Sequence, residues 1–174
     1  MKEILYIEIR VAGGVPLFVQ SVFQDKIIQG LKWSSEKRGL RIYEYSILPD
    51  RIVMIANNAW GSTTDTIESF KNFSSKAVLL ILRNGATDLK SSWMISTFKD
   101  FGPKNRTDGL YIWEGELFSK ALFKQADIDN TAIEIHQKAV KLGLVEKPEN
   151  YLQCSANPGN PLAGWIVEAT DRWS

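Results

Sequence analysis

The stretch SILPDRIVMIA, residues 46–56, places two apolar runs on either side of a Pro49–Asp50 pair. Proline presets the φ angle of a turn and aspartate tolerates turn geometry. Beyond the pair, Ile52, Met54 and Ala56 alternate with Arg51, Val53 and Ile55, the two-residue period of a strand. The flanks extend the pattern to LRIYEYSIL (40–48) and RIVMIANN (51–58). Two strands joined by so short a turn pair as an antiparallel hairpin. This hairpin decides the fold class, because everything around it must cover or extend an antiparallel sheet.

Upstream, ILYIEIRV (4–11) alternates Leu5, Ile7 and Ile9 with Tyr6, Glu8 and Arg10, which predicts a strand with one buried face. Gly13 and Gly14 break it, and Pro16 suits the first turn of a helix. Val19, Phe23, Ile27 and Leu31 then recur every four residues, predicting an amphipathic helix to Arg38 with Gly39 as its stop. Downstream, Asp65 and Glu68 fit a capping box that opens a second helix, with Ile67, Phe70, Ser74, Ala77, Val78 and Ile81 inward. LKSSWMISTFKDF (89–101) has helical character, and LYIWEGELFSKALF (110–123) reads as one or two short strands. From Asp127 to Leu142, the residues Ile128, Ala132, Ile135, Ala139 and Leu142 form one stripe of a last helix, ended by Gly143. The order predicts an α+β protein, a ferredoxin-like antiparallel sheet with helices packed on one face. Residues 1–157 would form the domain and 158–174 an irregular tail.

The bounds agree with that class. The chain has 174 residues, 44% apolar and 24% charged, enough for one domain with a sizeable core. A formal net charge of +1 rules out a global basic field, so any contact with nucleic acid must come from a local patch. One cysteine, Cys154, rules out an internal disulfide and suits a reducing compartment. The N-terminal run carries acids and no cleavage pattern, and no apolar stretch approaches a membrane span of about 20 residues. A soluble cytoplasmic protein is expected.

The chemical inventory is thin. One histidine and one cysteine cannot build a zinc site of the usual kind. There is no glycine-rich phosphate loop and no dinucleotide fingerprint. His136 is the sole candidate base for a serine nucleophile, and no nucleophile elbow accompanies it. Glu134 and His136 are two apart on a helix and do not share a face, which ranks an unrelated enzyme chemistry built on them last.

Four stretches resemble the REP-associated tyrosine transposases, the single-tyrosine branch of the HUH nucleases. YEYSILPDRIVMI (43–55) resembles their strand–turn–strand segment, of the form Y-x-(M/L)-P-N-H-x-H-L-(I/L). TIESFKNFSSK (66–76) resembles the helix that follows, with Lys71 and Ser75, and YIWEGELFSKALF (111–123) the strand segment anchored on Trp113. The most specific is EIHQKAVKLGLVEKPENYLQCSA (134–156), in which Ile135, His136, Val140, Gly143, Val145, Pro148, Tyr151, Ser155 and Ala156 fall in register with the C-terminal signature. The likeness spans residues 4–157.

The resemblance implies a fold of the HUH transposase type, a homodimer, and single-stranded or hairpin DNA as partner. It also implies a divalent metal held by two histidines, and a tyrosine that attacks a phosphate the metal polarises. Carried over residue by residue, the histidine positions fall on Arg51 and Val53, and the tyrosine position on Glu134. A guanidinium repels a metal, valine has no lone pair, and a carboxylate would meet the phosphate as a like charge. Cleavage and strand transfer are therefore expected to be absent, with no metal cofactor. DNA binding is the function that can remain, with Arg51, Lys71, Lys76 and Trp60 as candidate contacts. Lys99, Lys104 and Arg106 are further candidates for a basic face. Trp60 beside Gly61 is the tryptophan best placed to stack on a base, whereas Trp33 and Trp113 read as core. His136 reads as half-buried beside the helix stripe and Cys154 as a small inert residue. The alternative is a protein- or small-molecule-binding module on the same scaffold, with no DNA role, which the near-neutral charge favours.

Overall fold

The computed structural model describes residues 2–85, 91–106 and 109–167. Four strands form one sheet: β1 (Ile4–Arg10), β2 (Leu40–Leu48), β3 (Arg51–Asn58) and β4 (Phe118–Leu122). Their order is β2-β3-β1-β4, and every neighbouring pair is antiparallel. The long helices are α1 (Ser21–Arg38), α2 (Thr63–Arg83), α3 (Ser91–Phe101) and α4 (Gln125–Lys141). The α+β class and the ferredoxin-like strand order are those expected, and the 40–58 hairpin turns at Pro49–Asp50. The backbone carbonyls of that turn accept from Val11 N (2.8 Å) and Phe18 N (2.9 Å), so the chain after β1 holds the turn in place.

The helices divide between the two faces of the sheet. Leu5, Ile7 and Ile9 of β1 and Ile52, Met54 and Ala56 of β3 form the main core with Phe23, Ile27 and Leu31 of α1 and Ile67, Phe70 and Val78 of α2. On the other face, Ile4, Tyr43, Val53, Ile55 and Leu122 join Ile128, Ala132 and Ile135 of α4 in a second apolar cluster. Packing on one face thus holds for α1 and α2, while α4 covers the opposite side. The reason lies in β3, where Val53 and Ile55 make the alternate face apolar too, so both sides of that strand need a cover.

Helix ends follow local chemistry. α2 starts two residues before Asp65, because the Ser62 side chain accepts from Asp65 N (3.2 Å) and supplies the N-cap. α1 begins later than Pro16 allows, after a short turn of tighter helix at Leu17–Val19, and Val19 lies exposed ahead of it. Gly39 ends α1 at φ 77°, and a side chain there would collide with the Trp60 ring at 2.7 Å. α4 closes as a Schellman motif, with Gly143 N bonded to Val140 O and Leu144 N to Ala139 O. Leu142, the last member of the expected stripe, falls past that end and is exposed.

The segment after α4 straps onto the free edge of β2. Ile47 N donates to Gln153 O (2.8 Å), Ser155 N to Tyr45 O (3.0 Å) and Val167 N to Ile42 O (2.9 Å). Tyr151 Oη donates to Ile47 O, Tyr45 Oη to the buried Asn160, and Leu162 enters the main core. The irregular tail is therefore part of the fold at least as far as Val167.

Candidate nucleic-acid interface

The α4 side of the sheet holds Arg51, Val53 and Glu134, the three positions onto which the resemblance carries two histidines and a tyrosine. Alternation places Tyr6, Glu8 and Arg10 of β1, Arg51 and Val53 of β3, and Leu48 of β2 on this face. Val53 is fully buried in the second cluster. Arg51 stands at the rim, donating Nε and Nη2 to the two oxygens of Asp50 (3.0 and 3.1 Å) and Nη1 to Glu8 Oε1 (3.0 Å). Three of its five N–H bonds are engaged, and two remain for a ligand. Glu134 is exposed on α4 and contributes its negative charge to the surroundings of Tyr6. Lys138 and Lys141 follow it at i+4 and i+7, on the same side of the helix.

Between the two elements lies a cavity of about 200 Å³ lined by Leu48, Arg51, Lys138, Lys141 and Leu142. Its walls carry three cations and no carboxylate. Such a concavity fits an anion against a partly apolar floor.

Glu8 anchors the arrangement. Its carboxylate, largely buried, accepts from Arg10 Nε (2.7 Å), Tyr6 Oη (2.9 Å) and Arg51 Nη1 (3.0 Å). Burial would raise its pKa, but the hydrogen bonds from Arg10 and Tyr6 and the charges of Arg10 and Arg51 outweigh burial and leave it below the ordinary carboxylate value. Tyr6 moves the other way: burial, then the bond to Glu8, push its phenol well above the ordinary value, so it stays protonated at neutral pH. A depressed carboxylate stabilises the fold above its unfolded-state pKa, and that stability is lost as pH falls through the folded-state value. Glu8→Gln is accordingly expected to melt below the parent at neutral pH, with the gap closing on acidification through and below the carboxylate range. Paired thermal melts across pH measure this, and a gap independent of pH would show that the charge on Glu8 contributes nothing.

The residues do not fit a divalent metal. Arg51 repels one, Val53 is sealed in an apolar cluster, and Glu8 is committed to three donors. Among the described residues, no group of three or more His, Cys, Asp or Glu side chains is arranged to hold a metal ion.

The other expected contacts lie apart from this face. Lys71 is fully buried on α2, where it donates to Glu68 Oε1 (3.1 Å) and Gly115 O (3.4 Å), so it has no surface to offer a phosphate. Lys76 is exposed on α2, behind the sheet. Trp60 is exposed, with one ring face over Gly39, but it follows the far end of β3, about 25 Å from Arg51 along the strand. Arg51 alone of the four borders the cavity. Lys104 Nζ donates to Lys99 O, and Arg106 stacks on Tyr111 (3.7 Å) while donating to Asn72. Trp113 is core as expected, whereas Trp33 is half-exposed and stacks on Phe73 at 5.9 Å.

The motif residues of α2 act as fasteners. Trp113 Nε1 donates to Ser74 Oγ (3.0 Å) and Ile112 N to Ser75 Oγ (3.1 Å), which together with Lys71 pin residues 112–115 beside the end of β1. His136 Nε2 lies 2.8 Å from Glu44 Oε2 and 3.2 Å from Ser155 Oγ, and Ser155 gives its own proton to Glu44 (2.7 Å). With the serine proton directed to the carboxylate, this trio is a clasp between α4, β2 and the strap. Cys154 is buried beside Ser46, and burial pushes its thiol up. Lys138 and Lys141 stand in the last turn of α4, where cations are favourable to the helix end. Their spacing from Glu134 was the signal that places them at the cavity.

No protein-family model matches the chain, and no curated protein matches it. A solved structure of the REP-associated tyrosine transposase bound to a REP hairpin is similar to it, with a TM-score of 0.54 and 15% identity. The similarity covers 88% of this chain and 75% of that one. At that identity the likeness establishes the fold: the chain has a transposase-like α+β fold. Among the described residues, no helix is long and apolar enough to cross a membrane.

Proposed function

We propose that this chain is a DNA-binding relative of the REP-associated tyrosine transposases that grips single-stranded or hairpin DNA without cutting it. The observation that carries the reading is the cavity beside the vacated catalytic positions, where Arg51, Lys138 and Lys141 converge with no carboxylate in the lining. Three fixed cations supply the positive charge that a metal supplies in the family, and they hold a backbone phosphate without polarising it for attack. The absence of cleavage follows from Arg51, Val53 and Glu134 in place of two ligands and a nucleophile. Tyr6, the phenol near the same face, is held protonated on Glu8 and is no substitute. A homodimer belongs to the proposal on the family resemblance, and sedimentation reads it directly.

Labelled hairpin and single-stranded DNA, titrated at several salt concentrations, test the reading. Binding is expected to weaken steeply as salt rises, with no product on a denaturing gel after incubation with manganese or magnesium. Replacing both Lys138 and Lys141 by alanine is expected to lower affinity for a single strand on the order of tenfold or more and to flatten the salt slope by about 1.4, two phosphate contacts at about 0.7 each. A covalent adduct or cleaved strand would overturn the loss of catalysis. Absence of binding at low salt would overturn the DNA reading and favour a partner that is not a nucleic acid.

A further inference from the structure

We infer that Phe118 is an open stacking platform for an unpaired base of the bound strand. The inference rests on the phosphate-binding role of the cavity proposed above, and it names a side chain that takes a base beside that cavity.

Phe118 begins β4 directly opposite Glu8, on the face of the sheet that α4 covers. α4 packs over Ile4 and Leu122 at one end of this face and over Val53 and Ile55 at its middle. The corner holding Phe118 and Arg10 is left uncovered. Phe118 is 57% exposed, and its ring meets Tyr6 edge-on, with centroids 6.1 Å apart at 76°. An edge contact fixes a ring while leaving a π-face open, which a base needs in order to stack. The lone exposed aromatic of an ordinary surface carries no such setting. Here Lys120 follows two residues on along the same face, and Arg10 and Arg51 stand on the next two strands, Arg10 paired with Glu8 and Arg51 with Glu8 and Asp50, each keeping N–H bonds for a phosphate. Phe118 lies across Glu8 from Val53, and Arg51 is two residues further along β3, so Phe118 to Arg51 is about 12 Å.

A cationic track that passes an open aromatic is the pattern by which single strands are held, phosphates on the charges and a base on the ring. Paired bases keep their faces inside the stack, so a duplex can use the charges and not the ring. Phe118 therefore adds affinity for a single strand that salt does not screen, and Lys138 and Lys141 supply the part that salt does screen.

The test compares the intact chain, Phe118→Ala, Phe118→Trp and the double lysine variant on a single-stranded oligonucleotide and a blunt duplex of the same composition. Phe118 is exposed, so its variants are expected to melt with the parent, which circular dichroism checks. Phe118→Ala is expected to weaken single-strand binding about tenfold, within the range for losing one base–aromatic stack, with an unchanged salt slope and unchanged duplex affinity. Phe118→Trp is expected to retain or tighten binding. If the lysine variant weakens binding and Phe118→Ala matches the parent, the platform is refuted and the phosphate site stands. If the parent binds neither DNA, both fall together.

Discussion

Replacing Trp113 with alanine is expected to lower the unfolding free energy by about 3–5 kcal/mol, the range for deleting a large aromatic from a packed core. Trp113 is fully buried, its ring tilted against Phe18 (5.7 Å) and Phe70 (6.2 Å), and its backbone bridges Val11 at the end of β1. It thus joins α2, the chain after β1 and the segment that leads into β4. Truncation opens a void between elements that cannot collapse, because Ile112 and Glu114 remain bonded to Ser75 and to Arg10. The lost hydrogen bond is the smaller part, since Ser74 Oγ keeps Phe70 O at 2.7 Å. For a chain of this size the melting point should fall by roughly 10 °C. Trp113→Phe keeps most of the ring and should cost less than half as much. Urea unfolding of the three proteins checks this, and a loss below about 1 kcal/mol for the alanine variant would mean the segment is not anchored there.

The architecture was legible wherever one period dominated. The hairpin at Pro49–Asp50, the strand at Ile4–Arg10 and the Ile128–Ala139 stripe all lie where alternation or helical spacing placed them. What escaped were residues whose surroundings come from far along the chain. Lys71 sits between Phe70 and Ser74 in a helix that buries an unusually wide arc, because both the sheet and residues 112–115 press on α2. A lysine in such an arc looks like any solvated lysine until the second partner is known. The opposite placement of α4 was visible in Val53 and Ile55, which make the middle of the alternate face of β3 apolar, yet a strand read for alternation attends to the other side. Leu162 stands in a stretch broken by Pro158, Gly159, Pro161 and Gly164 that carries no regular period, and the strap it anchors could be found only in three dimensions. At the candidate site, Arg51 was legible through its motif. Lys138 and Lys141 reach the cavity only through the helix end that brings them beside Arg51.

Restoring the family's two histidines, Arg51→His together with Val53→His, is expected to destabilise the protein by about 3 kcal/mol and to recover no metal binding. Val53 is wholly buried in one apolar cluster with Ile128, Ala132 and Ile135 of α4. An imidazole there carries two polar nitrogens into a site without partners, a cost of about 1–3 kcal/mol, and its larger ring strains the packing by a similar amount. Removing the guanidinium at 51 also leaves Asp50 without its bidentate partner and Glu8 with one donor fewer. Thermal melts with and without manganese separate the two claims. A metal held by the folded state alone raises the melting point in proportion to the logarithm of its concentration, and the double variant should show no such rise. Should the rise appear, positions 51 and 53 can hold a metal once histidines occupy them. Its absence would mean that the packing of α4 over position 53 excludes a metal. The rim, with Arg51, Lys138 and Lys141, would then be the open part of this face.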